Sequence, residues 1–301
     1  MRHLIAGRNV ALCSAKSVET GDEYAHVFLT RVLADHHCVS MKEVNYVFPL
    51  LAYPEDVNAS EQRAIFHHIE STPVPNFTPD FLLLLNERLG FDVCGASPGA
   101  RQSIEAQDLL AYVYCILYSP TFRKRYASFL RKEFARVTLP KDRPLFKALV
   151  GIGSELVALH LMESVKLDRF ITSYIGPKKP EIERVGWSDN TVWLDAGARK
   201  KRQPGIPGTV GFRGVPEAVW NFQIGGYRVC EKWLKERKDR TLSKDDITHY
   251  QKIVVALSET IRLMKEIDEV INVHGGWPGA FQVGGSADAA TVSRLTATDL
   301  H

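Results

Sequence analysis

The sequence lacks the long apolar runs and paired cysteines that identify membrane and disulfide-stabilised proteins. No apolar stretch reaches the roughly 18 residues that span a bilayer, and residues 1–8 lack the apolar core of a secretory signal. The five cysteines form no Cys-x-x-Cys pair and are scattered along the chain, at Cys13, Cys38, Cys94, Cys115 and Cys230. With 301 residues and 45% hydrophobic composition, the chain is predicted to be globular and cytoplasmic, without membrane contact, and to form one large domain or two smaller ones.

Motifs of common catalytic sites are also missing. The chain has no Gly-x-x-x-x-Gly-Lys-Ser/Thr loop for a nucleoside triphosphate and no serine nucleophile motif of the α/β-hydrolase kind. It has no Asp/Asn-Pro-Pro-aromatic tetrapeptide, with which adenine-specific methyltransferases hold a flipped base. Gly151 and Gly153 form a lone Gly-x-Gly inside a helical pattern, which indicates close helix packing rather than a dinucleotide site. These absences predict a protein without catalytic activity of its own.

One short run, Asp35-His36-His37-Cys38, combines metal-ligand residue types with a thiol. It spells the tetrapeptide of protein palmitoyltransferases, but those enzymes contain transmembrane helices and zinc-binding cysteines that this chain lacks. As a metal half-site with His26, or with His67 and His68, the run is a weak signal, because no second properly spaced ligand pair accompanies it. We therefore predict a strand or turn at these residues and no bound metal.

Charge is distributed unevenly along a chain whose net charge is only +3. A first basic segment, residues 123–147, holds nine Lys and Arg residues against two acidic residues, and a second basic segment, residues 199–240, holds eleven against four. Two concentrated basic surfaces favour a polyanion such as nucleic acid over a small acidic ligand, although solvated helix faces produce the same pattern. Residues 226–243 are the most informative part, and we interpret them as a DNA-binding helix that leads into a spacer. Helical spacing around Trp233 favours core packing of the nearby aromatic residues over base stacking.

Residue patterns predict an α+β fold in which small β-rich parts flank a central helical region. Short β-branched and aromatic runs predict opening strands at 10–13, 26–32 and 46–51. Four helices are predicted, from Pro79 to Leu89 with Gly90 as the stop, over 105–118 with Ser103 as the cap, after Ser119-Pro120, and from Pro144 to about 163.

The C-terminal third is predicted to return to strands before one long helix. A strand is expected at 170–174. Further strands at 182–185 and 191–194 are expected to flank Ser188-Asp189-Asn190 as a hairpin. Ser243 and Asp246 resemble a capping box, and the apolar residues after it follow a heptad pattern with Asp268 as the polar exception, at Ile247, Tyr250, Val254, Leu257, Ile261, Met264 and Ile271. Such a helix needs a long partner, in this chain or another. The small and polar residues beyond Asn272 predict a flexible tail.

Several blocks of sequence, taken in order, resemble one known family. They include Asn45-Tyr46-Val47-Phe48-Pro49-Leu50, Arg123-Lys124-Arg125-Tyr126, Glu217-Ala218-Val219-Trp220, the run from Gly225 to Lys238, and His249-Tyr250-Gln251-Lys252-Ile253-Val254. Over about residues 2–272 the chain resembles the C-terminal specificity domain of type ISP restriction-modification enzymes. Residues 197–214 depart from the pattern as a variable insertion.

The resemblance implies a division of labour within a larger polypeptide. In that family one chain joins a nuclease, a DNA translocase, an adenine-specific methyltransferase and, last, a target recognition domain that reads an asymmetric DNA site. This chain would be that last part. Its partners would be double-stranded DNA and the parent's methyltransferase and translocase domains. S-adenosylmethionine, ATP and magnesium would bind those other domains, and no cofactor is expected in this chain.

The residue patterns, together with the resemblance, give the expected domain boundaries, and side-chain chemistry gives the candidate DNA contacts. Residues 1–225 would form the target recognition region (β-rich 1–53, helical 76–164, β-rich 165–215), residues 226–272 a helical spacer and 273–301 a flexible tail. The candidate base-reading residues are Ser188, Asn190, Arg199, Lys200, Lys201 and Arg202. The other candidate DNA contacts are Arg123, Lys124, Arg125, Arg228, Lys232, Lys235, Arg237, Lys238 and Arg240. Two alternatives stay open: a stand-alone relative of adenine-specific DNA methyltransferases, which needs a cofactor pocket, and a helical scaffold protein.

Overall fold

A computed structural model describes residues 2–19, 24–40, 42–53, 72–93, 102–197 and 207–282. Its elements confirm the α+β class. Up to residue 160 they are, in chain order, α1 (Arg2–Ile5), β1 (Ala11–Ala15), β2 (Val27–Thr30), β3 (Asn45–Pro49), β4 (Leu51–Ala52), β5 (Val74–Pro75), α2 (Pro79–Leu89), β6 (Phe91–Val93), β7 (Gln102–Ile104), α3 (Ala106–Tyr118), α4 (Pro120–Arg125), α5 (Ala127–Leu130) and α6 (Arg143–His160).

The remaining elements follow a single 3-10 turn at Val165–Asp168. They are β8 (Ser173–Ile175), β9 (Gly186–Ser188), β10 (Thr191–Trp193), β11 (Gly211–Arg213), α7 (Glu217–Trp220), β12 (Gln223–Ile224), β13 (Tyr227–Arg228), α8 (Val229–Lys235), α9 (Lys244–Val273) and α10 (Gly276–Gly279). Backbone packing divides the chain into two compact units. Unit 1 comprises residues up to 157 and from 264 onward, and unit 2 comprises residues 158–263. Helix α9 therefore contributes its longer N-terminal part to unit 2 and its last turns to unit 1.

Unit 1 contains a three-stranded antiparallel sheet with strand order β2-β1-β3. These strands confirm the predicted β-rich opening. Helix α3 is buried along its length from Leu109 to Tyr118. It lies against α6 at Gly153, where an added Cβ would meet the Ala111 carbonyl oxygen at 2.0 Å, so the helices approach too closely for any side chain. Close helix packing, rather than a dinucleotide site, therefore explains this glycine.

The ends of the helices in unit 1 follow the predicted caps with one exception. Helix α2 begins at Pro79 and is stopped by Gly90, which adopts the left-handed φ of 61°. The side chain of Ser119 accepts a hydrogen bond from the Phe122 amide at 3.0 Å and so caps α4. Ser103, however, does not cap α3, because it lies in β7, which pairs in parallel with β6. Glu105 is the capping residue, in a reciprocal box with Asp108.

Unit 2 contains a four-stranded antiparallel sheet with strand order β8-β11-β10-β9. One face of the sheet packs on α9, since Val192 and Phe212 belong to the same buried cluster as Tyr250 and Val254. Leu234 of α8 also belongs to this cluster. The predicted strand at 170–174 begins later, at Ser173. The predicted hairpin is present, but its first strand is Gly186–Ser188 and not residues 182–185.

Helix α9 begins with the predicted capping box. The Ser243 amide donates to the Asp246 carboxylate at 2.9 Å, and the Asp246 amide donates to the Ser243 hydroxyl at 3.1 Å. The predicted heptad positions are buried up to Leu257 and again at Ile271, but Ile261 and Met264 break the pattern after Leu257. Beyond it the buried positions are Thr260, Leu263, Ile267 and Ile271, whereas Ile261 and Met264 are partly exposed. The helix finds its packing partners within each unit of this chain, so its buried face follows the local core instead of one straight coiled-coil seam.

The predicted tail does not begin directly after α9. Ala280 and Phe281 are buried, and the Phe281 ring stacks on Trp277 with centroids 3.9 Å apart. The Ala280 carbonyl oxygen accepts a hydrogen bond from the Lys141 amide at 2.9 Å. Residues 274–282 are therefore part of unit 1, because aromatic residues among them bury apolar area that the glycine-rich composition obscured. The expected tail from 283 onward lies outside the described residues.

Candidate nucleic-acid interface

The tip of the β9–β10 hairpin is a tight two-residue turn. Asp189 and Asn190 both adopt left-handed backbone conformations, with φ of 50° and 55°, which is the type I′ geometry that matches the twist of paired strands. Asn190 is a residue type that tolerates this conformation. Its carbonyl oxygen accepts hydrogen bonds from the Gly214 and Val215 amides, both at 2.8 Å. The chain after β11 thereby holds the tip in place.

The two predicted base-reading residues at this tip have different environments. The Asn190 side chain is exposed, whereas Ser188 is only 6% exposed. The Ser188 hydroxyl accepts a hydrogen bond from the Trp193 indole N–H at 2.9 Å. Asn190 is therefore available to a ligand, and Ser188 instead stabilises the hairpin. The other base-reading candidates, Arg199, Lys200, Lys201 and Arg202, lie outside the described residues.

The ends of the loop that carries those four residues are held by Asp195. Its carboxylate accepts hydrogen bonds from the Thr209 amide, the Thr209 hydroxyl and the Val210 amide, at 2.7–3.0 Å. Burial would raise the pKa of this carboxyl, but these hydrogen bonds lower it below its usual value. Because β10 and β11 are antiparallel, the Asp195 clamp lies at the opposite end of β10 from the Asn190 turn.

Helix α8 is shorter than the sequence predicts. It follows directly from the two-stranded β12–β13 ribbon and ends at Lys235, and Asp239 then adopts a left-handed φ of 67° before α9 begins. On its surface Lys232 pairs with Glu236, and Lys235 pairs with Glu231, each with a nitrogen–oxygen distance of 2.6 Å. These pairs are partly exposed and one helical turn apart. The lysines thus remain at the surface with acidic neighbours.

The arginines that follow α8 are held by Trp233 and Asp246. The Arg237 guanidinium lies 3.7 Å from the Trp233 ring centroid, and its Nη1 donates to the Trp233 carbonyl oxygen at 3.0 Å. Asp246 forms ion pairs with Arg237 at 3.7 Å and with Arg240 at 3.4 Å. Hydrogen bonds from Ser243 and, to a lesser degree, these arginines lower the pKa of Asp246. The contacts of Trp233 with Tyr250 and His249 confirm that this aromatic residue packs within the protein.

Exposed cations complete the second basic segment. Arg228 and Lys238 are exposed, and Arg240 is half-exposed. Arg213 on β11 is also exposed, although it is not among the sequence-derived candidates. Its neighbour Phe212 is fully buried, so strand alternation alone would have directed Arg213 to the surface.

The first basic segment places its candidates in two environments. Arg123 is only 7% exposed, its Nε donates to the Leu117 carbonyl oxygen at 2.6 Å, and its guanidinium lies 4.5 Å from the Tyr118 ring centroid. Lys124 and Arg125 are exposed. Arg123 therefore has a structural position in unit 1, because a phosphate contact requires a reachable guanidinium.

The Asp35-His36-His37-Cys38 run forms a turn, as predicted. The ligand atoms of Asp35, His36 and His37 lie within 4.8 Å of one another at the surface. The Asp35 carboxylate accepts the His37 amide at 2.9 Å, and the Cys38 thiol donates to the Asn45 side-chain oxygen at 3.2 Å. These internal contacts account for the turn. Within the described residues no helix is long and apolar enough to cross a bilayer.

Comparison with known proteins gives one family match and several similar folds. The family model for the Type ISP C-terminal specificity domain matches residues 1–266. The fold is similar to DrdV in a complex with DNA, with a TM-score of 0.59 and 20% identity over 86% of this chain and 25% of that chain. It is also similar to LlaBIII, an ATP-dependent Type ISP restriction-modification enzyme bound to DNA, with a TM-score of 0.54 and 15% identity over 87% of this chain and 16% of that chain.

These identities are low, and the structural likeness therefore concerns the fold alone. The chain spans a quarter or less of the length of the two solved proteins. No curated protein matches it.

Proposed function

Because this chain belongs to the family of Type ISP C-terminal specificity domains, we propose that it recognises a specific sequence in double-stranded DNA. The observation that carries the proposal is the extent of the family match, which runs through residue 266 and therefore includes residues of both units. Adenine methylation and DNA cleavage are performed by other domains of a parent polypeptide. This chain directs those activities to their site and has none of its own.

The distribution of cations supports a division between phosphate and base contacts. Lysine and arginine bind DNA mainly through phosphates, and this contact positions a protein on the duplex without reading sequence. The candidates suited to this role are those sequence-derived DNA contacts that the structure leaves exposed or half-exposed, namely Lys124, Arg125, Arg228, Lys232, Lys235, Lys238 and Arg240. Arg237 lies beside this surface and packs its guanidinium on the Trp233 ring. Arg123 is excluded by its burial.

The proposal places cofactor chemistry in the parent's other domains. S-adenosylmethionine, ATP and magnesium serve the methyltransferase and translocase domains, which are the proposed partners of this chain. A thermal-shift titration of this chain with S-adenosylmethionine therefore gives no change in melting temperature. A saturable stabilisation would contradict the proposal and favour a stand-alone methyltransferase, since a ligand that binds the native state raises its stability.

The salt dependence of binding tests the role of the second basic segment. Each phosphate contact releases counterions, so the logarithm of the binding constant falls linearly with the logarithm of salt concentration. We expect the triple variant K232A/K235A/K238A to flatten this slope by about two to three units, at roughly one unit per contact. Fluorescence anisotropy with a labelled duplex measures the slope directly.

A matched variant controls for the loss of charge. Lys147, Lys178 and Lys179 are exposed lysines outside the candidate set, and the triple variant K147A/K178A/K179A removes the same charge. Its slope should stay close to that of the unchanged protein. Equal slopes for both triple variants would show that DNA contacts another surface. Failure of the unchanged chain to bind duplex DNA at low salt would refute the function itself.

A further inference from the structure

The four-stranded sheet of unit 2 has one row of polar side chains beside the hairpin tip. Ser173, Arg213, Thr191 and Ser188 are direct neighbours across strands β8, β11, β10 and β9. The next row, which contains Phe212 and Val192, faces the buried core. Side chains alternate between the faces of a sheet, so the polar row occupies the opposite face from the core.

Only part of this row is free to meet a ligand. The Thr191 hydroxyl donates to the Asp189 carbonyl oxygen at 3.2 Å, and the Ser188 hydroxyl is bonded to Trp193. Both residues are buried. Arg213 is exposed, and its side chain has no hydrogen bond or ion pair with any residue that the structure describes. The guanidinium therefore remains available beside the tip.

Arg213 and the turn residues Asp189 and Asn190 lie at one end of the sheet, which we call the hairpin edge. Arg213 pairs with Thr191, which directly follows the turn, and Gly214 donates its amide to the Asn190 carbonyl oxygen. Asp189 and Asn190 are both exposed at the same end of the sheet. Each of these residues is thus fixed in backbone position by the hairpin ladder, while its side chain projects from the edge. A preorganised backbone reduces the entropy lost when the side chains bind.

The chemistry of the edge suits bases better than phosphates. Arginine binds guanine O6 and N7 with two hydrogen bonds, and asparagine binds adenine N6 and N7 in the same way. A carboxylate beside them, Asp189, repels phosphate but accepts a hydrogen bond from cytosine N4. The charges of Arg213 and Asp189 cancel, which also distinguishes this edge from the lysines and arginines around α8.

We propose that the hairpin edge of unit 2 reads bases in the major groove, with Arg213 recognising a guanine and Asn190 an adenine. The inference rests on the proposed function and assigns sequence reading to this end of the sheet. Arg213 and Asn190 determine specificity, whereas the lysines around α8 position the protein on the phosphates.

Selection of bound duplexes from a randomised pool tests this assignment with the full chain. Asn190→Gly removes the amide and keeps the left-handed turn, since glycine adopts positive φ without strain. Arg213→Lys keeps the charge and loses the planar fork that makes two hydrogen bonds. Each variant should lose on the order of tenfold to a hundredfold preference at one base pair, the effect of one bidentate contact. The preferred base lost should be adenine for N190G and guanine for R213K.

Arg184→Lys is the matched control. Arg184 is an exposed arginine of unit 2 whose backbone forms a β-bridge with Asp195, at the other end of β10. The R184K variant should select the same sequence as the unchanged chain. If N190G and R213K both select the same consensus as the protein without substitutions, the edge assignment is overturned and DNA recognition stands. If the protein without substitutions selects no consensus, the recognition function is overturned as well. Circular dichroism melting confirms that each variant is folded.

Discussion

In the first basic segment, Arg123 and Arg143 direct their guanidinium groups at main-chain carbonyl groups, whereas in the second, Lys232 and Lys235 pair with glutamates on a helix surface. Lys141 of the first segment likewise donates to the His274 carbonyl oxygen at 2.6 Å. Cations that donate to main-chain carbonyl groups at helix ends stabilise the fold, and their donors are already engaged there. Net charge in a sequence window therefore overstates the charge that a surface presents.

The contrast has a physical origin in the surrounding residues. In unit 1, Arg123 follows a helix whose tyrosines are buried, and the Tyr118 ring receives its guanidinium. In unit 2, Cys230 and Leu234 form the buried side of α8, whereas Lys232 is partly exposed and Lys235 is exposed. Arginine burial needs carbonyl and aromatic partners. Leu117 and Tyr118 supply them to Arg123, and Trp233 supplies them to Arg237, whereas the lysines of α8 pair with glutamates at the surface. The predictions below test this difference, from the largest expected effect to the smallest.

The largest effect concerns the core under the second segment. Leu257 is 3% exposed and belongs to the same cluster as Leu234. Leu257→Asp should lower the free energy of unfolding by about 4 kcal/mol or more, because it buries an unpaired charge. Chemical denaturation measures the loss. Leu83→Asp is the control, since Leu83 is 60% exposed, and a wild-type-like melt of L257D would mean that this part of α9 packs elsewhere.

Arg123 provides the second test, now in the first segment. Arg123→Ala leaves the Leu117 carbonyl oxygen without its charged donor and should cost about 2–3 kcal/mol of unfolding free energy. Lys124→Ala, one residue away but exposed, should stay within about 0.5 kcal/mol of the unchanged protein. Equal stabilities of the two variants would remove the distinction between structural and surface cations in this segment.

Local signals predicted many of the element boundaries. Pro79 and Gly90 bound α2, Ser243 and Asp246 cap α9, and the Asp189-Asn190 turn closes the hairpin. Each depends on residues only a few positions apart, whose preferences act before any tertiary contact forms. The polar exception in the heptad, Asp268, is explained only by the fold. It accepts hydrogen bonds from Ser119 and Thr121, some 150 residues earlier in the chain.

The sequence was less informative where long-range packing decides the outcome. Charge counting placed Arg123 among the DNA contacts and omitted Arg213, because burial depends on neighbours that a local window does not contain. Ser188 was chosen for its polar side chain, but Trp193 across the turn occupies its hydroxyl. The heptad pattern likewise predicted one seam, whereas α9 serves the cores of two units in succession. Each error follows from reading a side chain without its partners.

Histidines beside the two segments predict different pH responses. His26 is fully buried 4.0 Å from Glu43, and burial lowers its pKa despite that carboxylate, with a further decrease from Arg123. Its contribution to stability is complete above the unfolded pKa of about 6.5 and is lost as pH falls below that value, because protonation favours the unfolded chain. We expect the unfolding free energy to fall between pH 7 and pH 5 by at most about 1.4 kcal/mol per pH unit for one proton.

Two variants separate the sources of this pH dependence. His26→Gln should flatten the decline measured by denaturation at several pH values. His249→Gln should change this decline less, because His249 is exposed at the surface. Partial desolvation of its ring and, to a lesser degree, Arg237 also lower its pKa. If His249→Gln flattened the pH dependence of the unfolding free energy more than His26→Gln, the pH-sensitive group would lie in unit 2 and not beside the first basic segment.

The smallest stability effect, and the most direct test of the surface, comes from the glutamates that pair with α8 lysines. Exposed helix pairs contribute about 0.2–0.5 kcal/mol each, so the double variant E231Q/E236Q should lose less than about 1 kcal/mol of stability. It should also bind duplex DNA more tightly, most of all at low salt, because two negative charges disappear and Lys232 and Lys235 are released. Glu133→Gln breaks an equally short pair with Arg136 in the first segment and should leave DNA affinity nearly unchanged. An equal gain from both variants would mean that charge anywhere on the chain governs binding. A gain confined to E231Q/E236Q identifies Lys232 and Lys235 of α8 as phosphate contacts.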